Sequence, residues 1–177
     1  MKSKILFIVD SSIDLSPELY KAYDFLIVPL NVTIDGKTYR DVPEELSNRK
    51  LFDIMDEKEV LPKTSTAAPA SFLEAFKKAE KDGYEGIVII GIGSTLSGTI
   101  KSAIVAIEMY EGPLDIRIVD SRNLSTGSGL IALYGADYAK KGYSLDEVVT
   151  YMESLVPRVR AQFIVDSLRV IYMDGRI

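Results

Sequence analysis

The stretch at residues 86–103, GIVIIGIGSTLSGTIKSA, constrains the fold more than any other part of the sequence. It opens on Ile87, Val88, Ile89 and Ile90, four consecutive apolar residues with no alternation. A strand with one wet face alternates apolar and polar residues. An unbroken run instead predicts a strand buried on both faces of a parallel sheet. The chain then passes Gly91, Gly93 and the hydroxyls of Ser94, Thr95, Ser97 and Thr99 before Ile100, Ala103, Ile104 and Ile107 recur at helical spacing. Hydroxyls and glycines therefore sit where a central strand hands over to a helix. A helix N-terminus offers unpaired N–H groups and the positive end of a dipole, which suit an anion. Simple capping by Ser94 or Ser97, with the glycines making the turn, accounts for this stretch equally well.

The flanking sequence repeats the pattern. Residues 4–9 (KILFIV) read as a first buried strand ending at Asp10-Ser11-Ser12, and Ser16-Pro17 starts a short helix. Residues 25–32 (FLIVPLNV) read as a second strand, with Pro29 arguing for an edge or a bulge. Asp35-Gly36 between Thr33-Ile34 and Thr38-Tyr39 predicts a hairpin, and Ser47 caps a helix carrying Leu51, Ile54 and Met55. Residues 63–69 (KTSTAAP) read as a loop before a helix with Phe72, Leu73, Phe76 and Ala79 on one side. Residues 115–119 (DIRIV) form another strand delivering Asp120-Ser121. A small-residue helix over 127–140 follows, and Ser144–Glu147 is a capping box for a helix that Pro157 ends. Strand–helix alternation of this kind predicts an α/β domain with a mostly parallel sheet and helices on both faces. Ligands of such folds bind beyond the carboxyl ends of the strands, where three hydroxyl-bearing turns are expected to meet.

Composition narrows the chemistry. The 177-residue chain has 47% hydrophobic residues, enough for a real core. It has no Cys and no His, which removes thiol catalysis, zinc–thiolate sites and a Ser-His-Asp triad. A net charge of −5 without a long basic run disfavours nucleic acid as a partner. The apolar run after Lys4 is too short for a signal peptide or membrane span, so a soluble cytoplasmic protein is expected. Gly91, Gly93 and Gly98 match no dinucleotide fingerprint, and no Walker lysine follows them. Thr64 and Ser65, together with the 94–99 turn, could hold a carboxylate or phosphate through hydroxyls and backbone N–H groups, or could be two sets of helix caps. Asp10 and Asp120 fit either strand-end turns or a metal site acting on a phosphorylated substrate, the enzymatic alternative.

Several blocks, in order, resemble the DegV family of bacterial fatty-acid-binding proteins. These are Asp10-Ser11-Ser12 with Asp14, Val28-Pro29-Leu30 with residues 35–41, Lys63-Thr64-Ser65 with Pro69 and Phe72, Ser94-Thr95-Leu96-Ser97-Gly98-Thr99, and Val119-Asp120-Ser121. The tail, residues 163–166 through Gly175-Arg176-Ile177, resembles the approach to the family's G-G-R-I segment. The resemblance implies a two-domain binder of long-chain fatty acids, without catalytic residues, cofactor or metal. The carboxylate would be held by Thr64, Ser65, Ser94, Ser97, Gly98 and Thr99, with the acyl tail in a tunnel. It also implies a separate fatty-acid kinase as partner, with Arg176 near the partner-facing side.

The sequence departs from the family pattern at Gly93, where a Ser is usual, at Thr66-Ala67, where Gln-Pro is usual, and at Asp174. Family members also continue well beyond this length, and a His that some carry there has no counterpart. The expected organisation is an α/β domain over 1–142 and the start of a second domain over 143–177. The apolar runs at 163–165 and 170–172 are expected to pack on another chain, giving self-association, or back onto the ligand face.

Overall fold

The computed structural model describes residues 4–165, with 168 and 172. In chain order the elements are β1 (Ile5–Asp10), α1 (Pro17–Tyr23), β2 (Leu26–Val28), β3 (Asn31–Ile34), β4 (Lys37–Arg40) and α2 (Asn48–Lys58). They continue with β5 (Lys63–Ser65), α3 (Pro69–Lys81), β6 (Gly86–Ile90), α4 (Thr99–Glu108), β7 (Asp115–Val119), α5 (Ser125–Lys140) and α6 (Leu145–Leu155). The main sheet has the order β2-β1-β6-β7, and each of its pairings is parallel.

Every residue of β6 is buried, as its unbroken apolar run requires. Strand alternation splits the core into two layers. Phe7, Val9, Val88, Ile90 and Val119 pack against Ile131 and Ala132 of α5 and Val148 and Met152 of α6. Leu6, Ile8, Ile87 and Ile89 pack against Phe72 and Phe76 of α3 and Ala103 and Ala106 of α4. Helices thus cover both faces of the sheet.

Pro29 lies where the chain leaves β2, the edge of the main sheet, and enters a second sheet of order β4-β3-β5. The β3–β4 hairpin turns on Asp35 and Gly36, with φ of 49° and 71°, the paired positive angles of a tight hairpin. Lys63–Ser65, expected as loop, instead forms β5, antiparallel to β3. Three residues carry too little periodicity to announce a strand, and the pairing that makes them one comes from residues thirty positions earlier.

Helix α6 lies past the boundary expected at residue 143, yet Val148, Met152 and Leu155 are buried in the same core as Phe7 and Val88. The capping box at Ser144 and Glu147 is present, and the apolar stripe it starts covers the sheet. The α/β unit therefore runs through α6 to the short turn at Val156–Arg158. Among the described residues no helix is long and apolar enough to cross a membrane.

Phe76 is fully buried between α3, the sheet and Tyr110, whose ring lies 5.6 Å from its own. Phe76→Ala should lower unfolding stability by about 3–5 kcal/mol in chemical denaturation.

Candidate functional site

The carboxyl ends of β1, β6 and β7 are tied together by side chains. Asp10, 2% exposed, accepts from Ser12 N (3.0 Å) and Ser12 Oγ (2.6 Å) through Oδ1, and from Ile92 N (2.8 Å) through Oδ2. A Cβ on Gly91 would lie 2.1 Å from Asp10 Oδ2, so that position admits glycine alone. Burial pushes the Asp10 carboxyl above its ordinary value, and the three hydrogen bonds offset this only in part. Ser11 Oγ donates to Asp41 Oδ2 (2.7 Å) and accepts from Leu30 N (3.1 Å), joining β1 to the loop between the two sheets.

Asp120 organises the neighbouring turn. Its Oδ1 accepts from Ser94 N (3.0 Å) and Arg122 N (3.1 Å), and its Oδ2 from Ser94 Oγ (2.6 Å). Burial pushes this carboxyl up, but the bonds from Ser94 and Arg122 and the Arg122 charge outweigh it and hold it below the ordinary value. Ser121, fully buried, donates to Gly91 O (2.6 Å), and Gly93 N donates to Asn123 O (2.8 Å). A Cβ on Gly93 would stand 2.9 Å from Arg122 Cα and 3.0 Å from Asn123 N, so this backbone crosses too closely for a side chain here.

Helix α4 begins at Gly98 without a side-chain cap. Ser97 Oγ lies 2.9 Å from Thr99 Oγ1 and accepts from Thr99 N at 3.3 Å, while Ser94 is engaged with Asp120. Capping therefore does not account for Ser94. Ser94 and Gly98 are exposed, Ser97 is half-buried and Thr99 buried. Thr64 and Ser65 are not caps either, because α3 starts on Ala68 with Pro69 first in the helix. Both are exposed on β5, Thr64 opposite Val32 and Ser65 opposite Asn31, and alternation turns them to opposite faces.

The link from β5 to α3 lies against the start of α4. Ser102 Oγ donates to Ala67 O (2.5 Å), Asn31 Nδ2 donates to Thr66 O (3.2 Å), and the Thr66 methyl group is 3.4 Å from where a Cβ of Gly98 would be. Thr66, Ala67 and Ser102 thus bring the two hydroxyl segments alongside each other. Sequence reasoning singled out Thr66 only as a departure from the family, and Ser102 not at all.

Asn123 was also missed. Its buried amide donates to Val159 O (2.8 Å) and accepts from Ala161 N (3.2 Å), holding the segment that leaves α6 against the β7 end. Beyond it Phe163 and Ile164 are 68% and 100% exposed, so this part of the tail is not folded back onto the ligand face. Arg176 and most of 166–177 lie outside the described residues. The metal alternative finds little support, because both oxygens of Asp10 and of Asp120 already accept hydrogen bonds. Among the described residues no group of three or more His, Cys, Asp or Glu could hold a metal ion.

The fold and site define an α/β protein with an uncharged, hydroxyl-bearing turn at the carboxyl ends of a parallel sheet. The DegV family model matches residues 4–177, and the chain belongs to the DegV family. It is 33% identical over 174 residues to a DegV domain-containing protein of Caldanaerobacter subterraneus, covering 98% of this chain and 61% of that protein. A DegV domain-containing protein of Clostridium acetobutylicum is 32% identical, with the same coverage. The chain thus spans about three fifths of the length of these relatives.

Among solved structures, DegV of Bacillus subtilis, described as a fatty acid binding protein, superposes with a TM-score of 0.91 at 27% identity, covering 98% of this chain and 61% of that one. A DegV family protein of Thermus thermophilus, described by its fatty acid binding, gives 0.84 at 28% identity, covering 97% and 60%.

Two outcomes are expected. Asn123→Ala should leave the core intact but speed tryptic cleavage at Arg158 and Arg160, read by mass spectrometry of limited digests. Asp10, with its raised value, binds its proton more tightly in the folded state than in the unfolded chain. Its contribution to stability is complete below the unfolded value and is lost as pH rises through the raised one. Melting temperatures followed from acid to neutral pH should show this loss, and Asp10→Asn should abolish that component.

Proposed function

We propose that this chain forms the head-group half of a long-chain fatty-acid-binding protein, a carrier that presents the bound carboxylate to a separate fatty-acid kinase. The observation that carries the reading is the apposition of the Thr64–Ala67 segment and the Ser94–Thr99 turn at the sheet's carboxyl edge. It occurs in a family whose solved relatives are described as binding fatty acids. Ser97, with Thr99 hydrogen-bonded behind it, and the first N–H groups of α4 are the donors for the carboxylate, and one of Thr64 and Ser65 completes them.

Burying a methylene gains about 0.8 kcal/mol, so the acyl tail supplies most of the affinity and the hydroxyls set its orientation. On this reading the protein works in the cytoplasm without catalytic groups. On the same reading a second lobe would follow the segment held by Asn123, and Arg176 would be a contact for the kinase. The exposed Phe163 and Ile164 are where that lobe, or a second copy of the chain, would pack.

Organic-solvent extraction of the purified protein followed by mass spectrometry should yield a long-chain fatty acid. Ser97→Ala should weaken binding of a fluorescent fatty acid by about tenfold, the worth of a hydrogen bond to a charged group. A lipid-free extract together with no measurable fatty-acid affinity would overturn the reading.

A further inference from the structure

Helix α4 turns two opposite charges and a pair of aliphatic residues to the same side. Thr99, Ala103 and Ala106 are buried, whereas Lys101, Ile104, Val105 and Glu108 are exposed. Steps of three, four and seven positions from Lys101 lay these four along one outward stripe. Ile104 and Val105 are 43% and 42% exposed, and Met109, at 59%, continues the stripe. Lys101 and Glu108 stand two turns apart, about 10 Å along the axis. Among the described residues, neither side chain has an ion-pair or hydrogen-bond partner. Nor do these charges serve the helix. A macrodipole favours acids in the first turn and bases in the last, and α4 has no acid in its first turn and no base in its last.

We infer that this face is an interface between two copies of the chain, with α4 antiparallel to α4 of the second copy about a two-fold axis. The midpoint of the stripe falls between Ile104 and Val105. Pairing about that point sets Lys101 against Glu108 of the second copy, Glu108 against its Lys101, and Ile104 against its Val105. All the unneutralised charges gain partners at once, and each macrodipole lies beside one of opposite sense. The placement that helix stability alone disfavours is the one a self-complementary pair uses. The ten residues of α4 span about 15 Å, so the contact is at the small end for protein interfaces and the dimer is a weak one. The aliphatic residues supply the association, and the ion pairs set its register and direction. This face uses neither the hydroxyls of the 94–99 turn nor Phe163 and Ile164, so it stands whether or not the chain binds lipid.

Sedimentation equilibrium of the 177-residue chain should show a monomer–dimer equilibrium with a micromolar dissociation constant. Lys101→Glu alone sets acids against acids, and Glu108→Lys alone sets bases against bases. Each should weaken the dimer by about tenfold or more. Both changes suit the macrodipole, so neither weakens α4 itself. An equal mixture of the two single variants should recover the parental dimer, because every contact in the mixed pair then joins opposite charges. The double variant should dimerise as the parent does. Phe163→Ser with Ile164→Ser should leave the equilibrium unchanged. Four results would overturn the interface: a parent monomeric throughout the micromolar range, single variants that associate like the parent, no recovery on mixing, or a dimer lost with the 163–164 changes.

Discussion

The carboxylate of Asp10 is the constraint on which the site depends. A charge buried this deeply is costly unless its oxygens are met by donors, and here the donors come from two different strand ends. Ser12 belongs to the turn that follows β1 and Ile92 to the turn that follows β6, so one carboxylate locks both. The space it fills is the space a side chain at residue 91 would need. Removing the carboxylate would orphan the Ile92 N–H at the root of the 93–99 turn. The effect would fall on the position of the hydroxyls rather than on the hydrophobic layers.

From that anchor the rest follows by adjacency. β6 lies between β1 and β7, so its outgoing turn is held by Asp10 on one side and by Asp120 and Ser121 on the other. Each acid satisfies backbone N–H groups that the end of a parallel strand would otherwise leave unpaired. The outcome is a turn rich in hydroxyls with its nearest carboxylates already occupied.

Much of this was legible in the sequence, for identifiable reasons. The continuous apolar run of β6, the paired turn residues at 35–36 and the capping box at Ser144 are local signals, and the structure follows each of them. What was not legible depends on distant partners. β5 becomes a strand because β3 is beside it, and α6 joins the first core because its stripe meets the sheet. Asn123 holds a segment thirty-six residues later in the chain, a bond that no spacing rule encodes. The contacts that set the segment after β5 against the start of α4 run through Thr66, Ala67 and Ser102, which carry no local signal of that pairing.

Gly93 shows how closely two stretches of backbone meet in such a site. A serine there would place a hydroxyl next to that of Ser94, but it would also place a Cβ about 3 Å from the backbone of Arg122 and Asn123. Arg122 holds a φ of 49°, the left-handed conformation that brings its backbone across the turn and lets its N–H reach Asp120. The crossing backbone and the missing side chain are therefore two aspects of one arrangement. Such a serine would push the 122–123 backbone outward, lengthening the Gly93 N–H bond to Asn123 O. It would thereby disturb the residue that holds the exit segment at Val159 and Ala161. In this chain the geometry of the hydroxyl turn and the path of the chain out of the α/β domain are set by the same few backbone contacts, so neither can be altered without the other.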